Sequence, residues 1–175
     1  MQNARLLSSV FALASLIIAG CAATPTVQQV RPIDADLSRY TSLQIVVDAP
    51  EHVRSKTGYD ITSAELQREF MANVAASGKF ATVGTNAQPG KNLEARLTIT
   101  DLNYVSGASR GGFGILAGRA VLNVTMTLKD METAAVIGSV AAAHASSHAQ
   151  GVFSPVTSTQ ITAIAKELSL KLTGR

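Results

Sequence analysis

The sequence predicts an α+β protein, a two-layer sandwich in which one mixed or antiparallel sheet of about five strands carries two helices on one face. Three observations predict this fold. Short β-branched or alternating segments recur from residue 43 to about residue 147. Two longer segments have apolar residues at helical spacing, one after the first strand and one at the C-terminal end. The predicted order is β-α-β-β-β-β-α, which favours a sheet covered by helices on one side.

An N-terminal signal precedes the predicted domain. Arg5 is the only charged residue before position 21, and an uncharged apolar stretch covers residues 6–19. As a helix this stretch would be about 21 Å long, whereas the hydrocarbon core of a bilayer is roughly 30 Å thick. It therefore has the features of a secretory signal peptide and is short for a membrane-spanning anchor.

The signal ends in the segment Ile18-Ala19-Gly20-Cys21. This segment resembles the lipobox of bacterial lipoproteins, and the resemblance implies cleavage between Gly20 and Cys21 and a lipid on the Cys21 sulfur. Two or more acyl chains hold a protein stably on a membrane, so we expect anchoring without spanning. Ala22 in the sorting position implies the periplasmic face of the outer membrane. The alternative is an ordinary secreted protein.

The domain boundaries follow from this cleavage. Residues 1–20 are the predicted signal peptide, residues 21–40 the lipidated N-terminus with a flexible tether, and residues 41–175 a single periplasmic domain. The tether is polar and has little apolar periodicity, although Leu37 and Tyr40 are expected to pack on the domain. Cys21 is the only cysteine, so the domain has no disulfide and depends on its hydrophobic core.

The charge of the chain is small. Its 15 Lys and Arg residues and 12 Asp and Glu residues give a formal charge of +3, and loss of the signal with Arg5 lowers it to +2. Lys and Arg form no run in the sequence, so the electrostatic footprint of nucleic-acid binding is missing. Nucleic acid is therefore not an expected partner.

The first half of the domain contains a strand, a helix and a second strand. Residues 43–48 are a β-branched run that predicts a buried strand, and a polar loop is predicted over residues 51–61. Thr62 and Glu65 have the spacing of a capping box, which marks the start of a helix. Gly78 supplies a left-handed stop, and a short strand is predicted directly after it.

The second half contains three strands and a closing helix. Residues 93–99 and 122–128 alternate apolar and polar side chains, and a third strand is predicted from residue 135 to about residue 147. The alternation of the first of these strands slips near Thr100, which predicts a β-bulge. Adjacent strands of this kind form an antiparallel meander. A helix with an apolar stripe follows Pro155.

A glycine-rich segment at residues 106–119 joins the first two strands of the meander. Its glycines miss the spacing of phosphate-binding and dinucleotide-binding loops by one residue, so a nucleotide cofactor is not predicted. The simplest interpretation is a hairpin connection. The alternative is a contact loop for a lipid surface or another subunit, because apolar side chains stand there between two arginines. The possible contact residues are Arg110, Phe113, Ile115, Leu116 and Arg119.

Catalytic and metal sites are not predicted. His144 and His148 are four residues apart, but on a strand such residues stand about 13 Å apart and cannot share a metal ion. The sequence also contains neither a motif for a catalytic nucleophile nor the spacing that would mark a general base beside it. We therefore expect no cofactor and no enzymatic activity.

Several segments together resemble a known family. They are Ser77 to Val83, Leu97 to Asp101, Gly112 to Arg119, Leu122 to Leu128, and Asp130 to Thr133. Over residues 40–172 they are similar to domain-of-unknown-function family 4410, a set of bacterial lipoproteins without described catalytic residues. The family usually has glycine where this chain has Ala134, which implies that the turn there differs. The order of elements is also similar to that of CsgG-like periplasmic lipoprotein domains.

These patterns predict an outer-membrane lipoprotein whose periplasmic domain has a non-enzymatic binding or adaptor role, with the membrane and an unknown envelope protein as partners. The alternative is an oligomeric, CsgG-like assembly or export component, in which the glycine-rich segment lies at subunit contacts. A ring-sized native mass would favour the second, and a monomer would favour the first.

Overall fold

The computed structural model describes residues 24–86, 91–104, 120–145 and 156–174. Its strands are β1 (Thr26–Arg31), β2 (Ser42–Asp48), β3 (Thr82–Gly84), β4 (Asn92–Asn103), β5 (Val121–Asp130) and β6 (Val136–Ala145). Its α-helices are α1 (Glu51–Arg54), α2 (Tyr59–Ser77) and α3 (Val156–Thr173), and a 3-10 turn covers Leu37–Arg39. In the described ranges, these strands form one sheet in the order β1-β6-β5-β4-β2-β3.

The sheet is mixed. β2 pairs in parallel with both β3 and β4, whereas β4 with β5, β5 with β6, and β6 with β1 are antiparallel pairs. The predicted α+β class and the predicted meander are therefore confirmed. The sheet has one strand more than predicted, because residues 26–31 form β1 where the sequence indicates a flexible tether.

The alternating pattern of β5 separates the two faces of the sheet. Four of its apolar side chains are at most 1% exposed, and the residues between them are only half-buried. The buried residues of β5 join one hydrophobic core with residues of α2 and α3. The core side chains of these three elements are Leu122, Val124, Met126, Leu128, Leu66, Phe70, Val74, Ile161, Ile164, Ala165, Leu168 and Leu172. The helices therefore cover one face, as predicted.

The irregularity predicted in β4 is present. The register between β4 and β5 shifts between Ile99 and Asp101, so Thr100 has no opposite residue in β5. Ile99 and Leu102 are both buried although they are three positions apart, because the bulge moves the later residues by one position. The slip in hydrophobic phase is thus explained by one extra residue.

The start of the first long helix differs from the prediction. The loop predicted over residues 51–61 is only a short turn at residues 55–58, because α1 occupies Glu51–Arg54 and α2 begins at Tyr59. Thr62 does not cap α2: its amide donates to the Gly58 carbonyl at 2.9 Å, and its side chain is buried. The apolar Val53 of α1 is also fully buried, so packing on the core favours helix where the polar composition indicated loop.

The ends of the helices are well defined. Gly78 follows α2 with φ of 67° and donates its amide to the Ala75 carbonyl, which confirms the predicted left-handed stop. α2 and α3 run in parallel, because Glu65 and Ser158 are bonded near their starts while Lys79 reaches the Leu172 carbonyl near their ends. Both helices therefore begin at the same end of the sheet.

The turn between β5 and β6 contains a residue in the left-handed conformation that glycine favours. Ala134 has φ of 59°, a left-handed value that costs a residue with a Cβ roughly 1 kcal/mol. Ala134 therefore adds strain to this turn.

We expect Ala134→Gly to raise the free energy of unfolding by about 0.5 to 1 kcal/mol, because it removes this strain. The greater conformational entropy of glycine in the unfolded chain offsets only part of this gain. Urea unfolding followed by circular dichroism measures the effect. Ala64, which is exposed in the middle of α2, serves as the control, because Ala64→Gly should lower stability by about 1 kcal/mol.

Candidate contact surface

The residues that the sequence singles out lie outside the described ranges. These are Gly20 and Cys21 of the predicted cleavage site, His148, and the possible contact residues Arg110, Phe113, Ile115, Leu116 and Arg119. Their roles therefore remain predictions. The structure does show where the described residues that flank these segments lie.

We define the loop end of the sheet as the end at which β2, β4 and β6 finish. Register places the relevant residues together there: Asn103 lies opposite Val121, Val121 lies opposite Ala145, and Thr26 lies opposite Ala143. The stretch 105–119 joins β4 to β5, and the stretch 146–155 joins β6 to α3. The start of β1 and the strand ends that flank these connections, at Asn103, Val121 and Ala145, are therefore at the loop end.

The turn between α1 and α2 also lies at the loop end. The Lys56 ammonium donates to Asp101 Oδ1 at 2.9 Å, directly after the bulge of β4. Gly58 lies against the ring of Tyr104, so closely that a Cβ on Gly58 would stand 2.3 Å from Tyr104 Cγ. This glycine has φ of 84°. Space and backbone conformation both require glycine at this contact.

Ion pairs hold this end of the structure together. Asp48 accepts from the Arg54 guanidinium at 2.6 Å and lies 3.5 Å from Arg96. A hydrogen bond from the Ala49 amide, followed by the charge of Arg54, lowers the pKa of the Asp48 carboxyl. The hydrogen bond from Lys56 is the main cause that lowers the pKa of Asp101. Both carboxyls are therefore compensated charges.

The N-terminal segment is attached to the edge of the sheet. Five of the six residues of β1 are exposed, and Val27 is half-buried. Beyond β1, Ile33 packs over Gly138, where a Cβ would stand 2.7 Å from the Ile33 side chain. The Asp34 amide then donates to the Ile137 carbonyl at 3.2 Å. This segment leaves no hydrophobic pattern in the sequence, because almost none of its apolar residues are buried.

Three residues then bind the N-terminal segment to the β5–β6 turn, and we call them the Asp130 cluster. Asp130 Oδ2 accepts from the Tyr40 hydroxyl at 2.7 Å and from the Arg39 guanidinium at 2.9 Å. Asp130 Oδ1 accepts from the amides of Glu132 and Thr133, each at 2.9 Å. Asp130 and Tyr40 are both 3% exposed. The predicted packing of Tyr40 is confirmed, whereas its carboxylate partner was not predicted.

The Asp130 cluster changes the pKa of two groups in opposite directions. Hydrogen bonds, first from Tyr40 and then from the Thr133 amide, lower the pKa of Asp130 to about 2. Burial, followed by the hydrogen bond to Asp130, raises the pKa of Tyr40 to about 12. The cluster is therefore stable as a carboxylate bonded to a neutral phenol.

We expect this cluster to give a measurable pH dependence. Stability contributed by Asp130 is fully present above about pH 5 and is lost as the pH falls towards 2, because the unfolded chain binds the proton more readily. Stability contributed by Tyr40 is present below pH 10 and is lost as the pH rises towards 12. Thermal unfolding from pH 7 to 3 checks the acid limb, which should be shallower in Asp130→Asn.

Two structural findings concern metals and membranes. Within the described residues, His, Cys, Asp and Glu side chains form no group of three that could hold a metal ion. His144 is buried in β6. His148, four residues later in the sequence, is outside the described ranges. The described helices include none that is long and apolar enough to cross a membrane.

Comparison with solved structures supports the fold. The chain is similar to PelC from Paraburkholderia phytofirmans, solved as a dodecamer: a single-substitution variant has a TM-score of 0.55 at 18% identity, covering 86% of this chain and 97% of that chain. A second PelC dodecamer structure has a TM-score of 0.54 at 16% identity, covering 87% and 99%. At these identities the likeness shows the fold alone.

A more distant likeness is to a protein of Xanthomonas campestris from domain-of-unknown-function family 330, with a TM-score of 0.47 at 17% identity, covering 78% of this chain and 88% of that chain. Family models and curated proteins gave no match to this chain. The resemblance to family 4410 and to CsgG-like domains is therefore not confirmed.

Proposed function

We propose that the chain is a lipid-anchored periplasmic protein of the outer membrane that binds envelope components, without catalysis, as part of a self-associated assembly. The observation that carries the proposal is the shared fold: PelC chains that form dodecamers superpose on 86% and 87% of this chain. Oligomeric assembly, the alternative in the sequence analysis, is thereby favoured over a monomeric adaptor.

The lipid anchor is supported by the order of residues from Ile18 to Cys21 at the end of an apolar segment. Labelling of growing cells with radioactive palmitate tests it. Cys21→Ser should abolish the label and leave an unprocessed or soluble protein, because the thiol that carries the lipid is gone. Ala23→Ser, close by, should keep the label. Label that persists on the Cys21 variant would contradict the anchor.

Self-association is tested by native mass after gentle extraction in detergent. The full-length chain has a mass of 18.2 kDa, so an assembly of many subunits is easily separated from a monomer. A multi-subunit mass supports the proposal. A monomeric mass at micromolar concentration would instead restore the adaptor, with a different envelope protein as its partner.

The glycine-rich segment 106–119 is the proposed contact loop of this assembly. It joins β4 to β5 at the loop end, and Phe113, Ile115 and Leu116 place apolar groups between Arg110 and Arg119 in the sequence. We expect Phe113→Ser to lower the native mass or the membrane association, while thermal unfolding is unchanged. Ser109→Ala in the same segment is the matched control and should change neither.

A further inference from the structure

The distance between the predicted anchor and the domain is short. β1 begins at Thr26 and is paired with β6 from its first residue. Only the chain from Cys21 to Thr26 can act as a tether, and fully extended it spans about 17 Å. A flexible tether through residue 40, by contrast, would have a root-mean-square reach of about 25 Å and no preferred direction.

The direction of β1 determines which end of the domain this short tether reaches. β1 is antiparallel to β6, and Thr26 lies opposite Ala143, two positions before the end of β6 at Ala145. Thr26 is therefore at the loop end, whereas Arg31 lies opposite Ser139, towards the other end of β6. The chain enters the domain at the loop end and runs away from it.

The N-terminal segment is also held at its far side. The Asp130 cluster attaches Arg39 and Tyr40 to the β5–β6 turn, which lies at the end of the sheet opposite the loop end. Between the two ends β5 is ten residues long, which corresponds to roughly 30 Å. Contacts at both ends of the sheet thus keep the segment aligned with its strands.

We infer that the loop end of the sheet faces the lipid surface that holds Cys21, and that the β5–β6 turn points away from it. This inference rests on the proposed lipid anchor. A tether of about 17 Å keeps Thr26 close to this surface. An inverted domain, with the β5–β6 turn facing the lipid, would place Thr26 roughly 30 Å away from it, beyond the reach of the tether.

The charges described at the loop end are compatible with contact to a lipid surface. Lys56 is paired with Asp101, and Arg54 is paired with Asp48, so these carboxylates are compensated and do not repel anionic headgroups. The turn between α1 and α2 that carries Lys56 is exposed. This turn therefore provides a polar, near-neutral surface beside the lipid.

The orientation can be measured with a single fluorescent reporter, because the chain contains no tryptophan. Thr57→Trp places the reporter at the loop end, and Glu132→Trp places it in the β5–β6 turn. Both positions are exposed turn residues. The lipidated full-length proteins are reconstituted into phosphatidylcholine vesicles that contain lipids with a doxyl quencher, and circular dichroism verifies that each variant is folded.

Quenching of Thr57→Trp should exceed that of Glu132→Trp about threefold, because the two positions differ in depth by roughly 30 Å. A second pair, Glu51→Trp and Lys91→Trp, should show the same order. Equal or reversed quenching in palmitate-labelled, vesicle-bound protein would overturn the orientation while leaving the anchor intact. Protein that carries no palmitate and does not bind vesicles would overturn the proposed function itself, and the orientation with it.

Discussion

Asp130→Asn is expected to lower the melting temperature by about 10 °C, the largest effect of any single polar substitution in the described residues. The carboxylate is bonded to two side chains and two backbone amides. An amide at this position keeps one acceptor oxygen and replaces the other with an NH2 group, so either the pair Arg39 and Tyr40 or the two backbone amides faces a donor instead of an acceptor. The buried Tyr40 hydroxyl then has no charged acceptor, whereas the Arg39 side chain is 46% exposed and can bond to water.

Three further measurements separate the cluster from a general effect of charge. Tyr40→Phe removes one bond and keeps Asp130 paired with Arg39, so its effect should be smaller. Asp101→Asn removes only the exposed ion pair with Lys56, and such pairs contribute less than about 1 kcal/mol. Combining Asp130→Asn with Tyr40→Phe should cost less than the sum of the two. A melting temperature unchanged in Asp130→Asn would contradict this account of the cluster.

Gly58→Ala is expected to lower the free energy of unfolding by about 3 kcal/mol, through two effects that add. The new Cβ would stand 2.3 Å from Tyr104 Cγ and 2.6 Å from Tyr104 Cβ, so the ring and its backbone must move. The left-handed φ of 84° also disfavours alanine. Chemical unfolding monitored by circular dichroism measures the loss.

Gly78→Ala is the matched control for this change. Gly78 has a similar φ of 67°, but a Cβ there would meet no atom within 4 Å. Its substitution should therefore cost only the backbone strain, about 1 kcal/mol. The difference between the two variants reports the contact with Tyr104, and Tyr104→Ala should restore part of the stability lost in Gly58→Ala. Equal losses in the two glycine variants would show that the contact contributes nothing.

The centre of the fold could be predicted from the sequence because its signals are local. Met126 and its neighbours alternate with polar residues along β5, and this period of two leaves only one way to place the strand on a core. The bulge at Thr100 was visible as a slip of that period. Gly78 and Pro155 indicated where helices end or begin. Such patterns depend on a few adjacent residues.

The edge of the sheet could not be predicted for the same reason. β1 buries almost nothing of its own, and backbone pairing with β6 holds it, which leaves no hydrophobic signal in the sequence. The Asp130 cluster joins residues about ninety positions apart, so no local spacing marks it. α1 was hidden because its one buried side chain, Val53, lies among polar residues.

The candidate site was predicted only as separate pieces. Cys21 and the contact loop are far apart in sequence. The pattern around Cys21 indicates lipidation, whereas the pattern of the loop indicates exposed apolar side chains, and neither refers to the other. Strand direction and register place the start of β1 at the same end of the sheet as the strand ends that flank residues 105–119. Register depends on long-range pairing, which the sequence pattern of one chain does not report.

The pairing of β1 with β6 has a practical consequence for recombinant expression. A soluble fragment begun at residue 41, the natural choice if everything before it were spacer, would lack β1 and would also lack Tyr40. The alanine-rich strand β6 (Val136–Ala145) would then be an unpaired edge strand. It has no charged residue or proline that would discourage intermolecular sheet formation. Fragments intended for crystallisation should therefore start near Ala23.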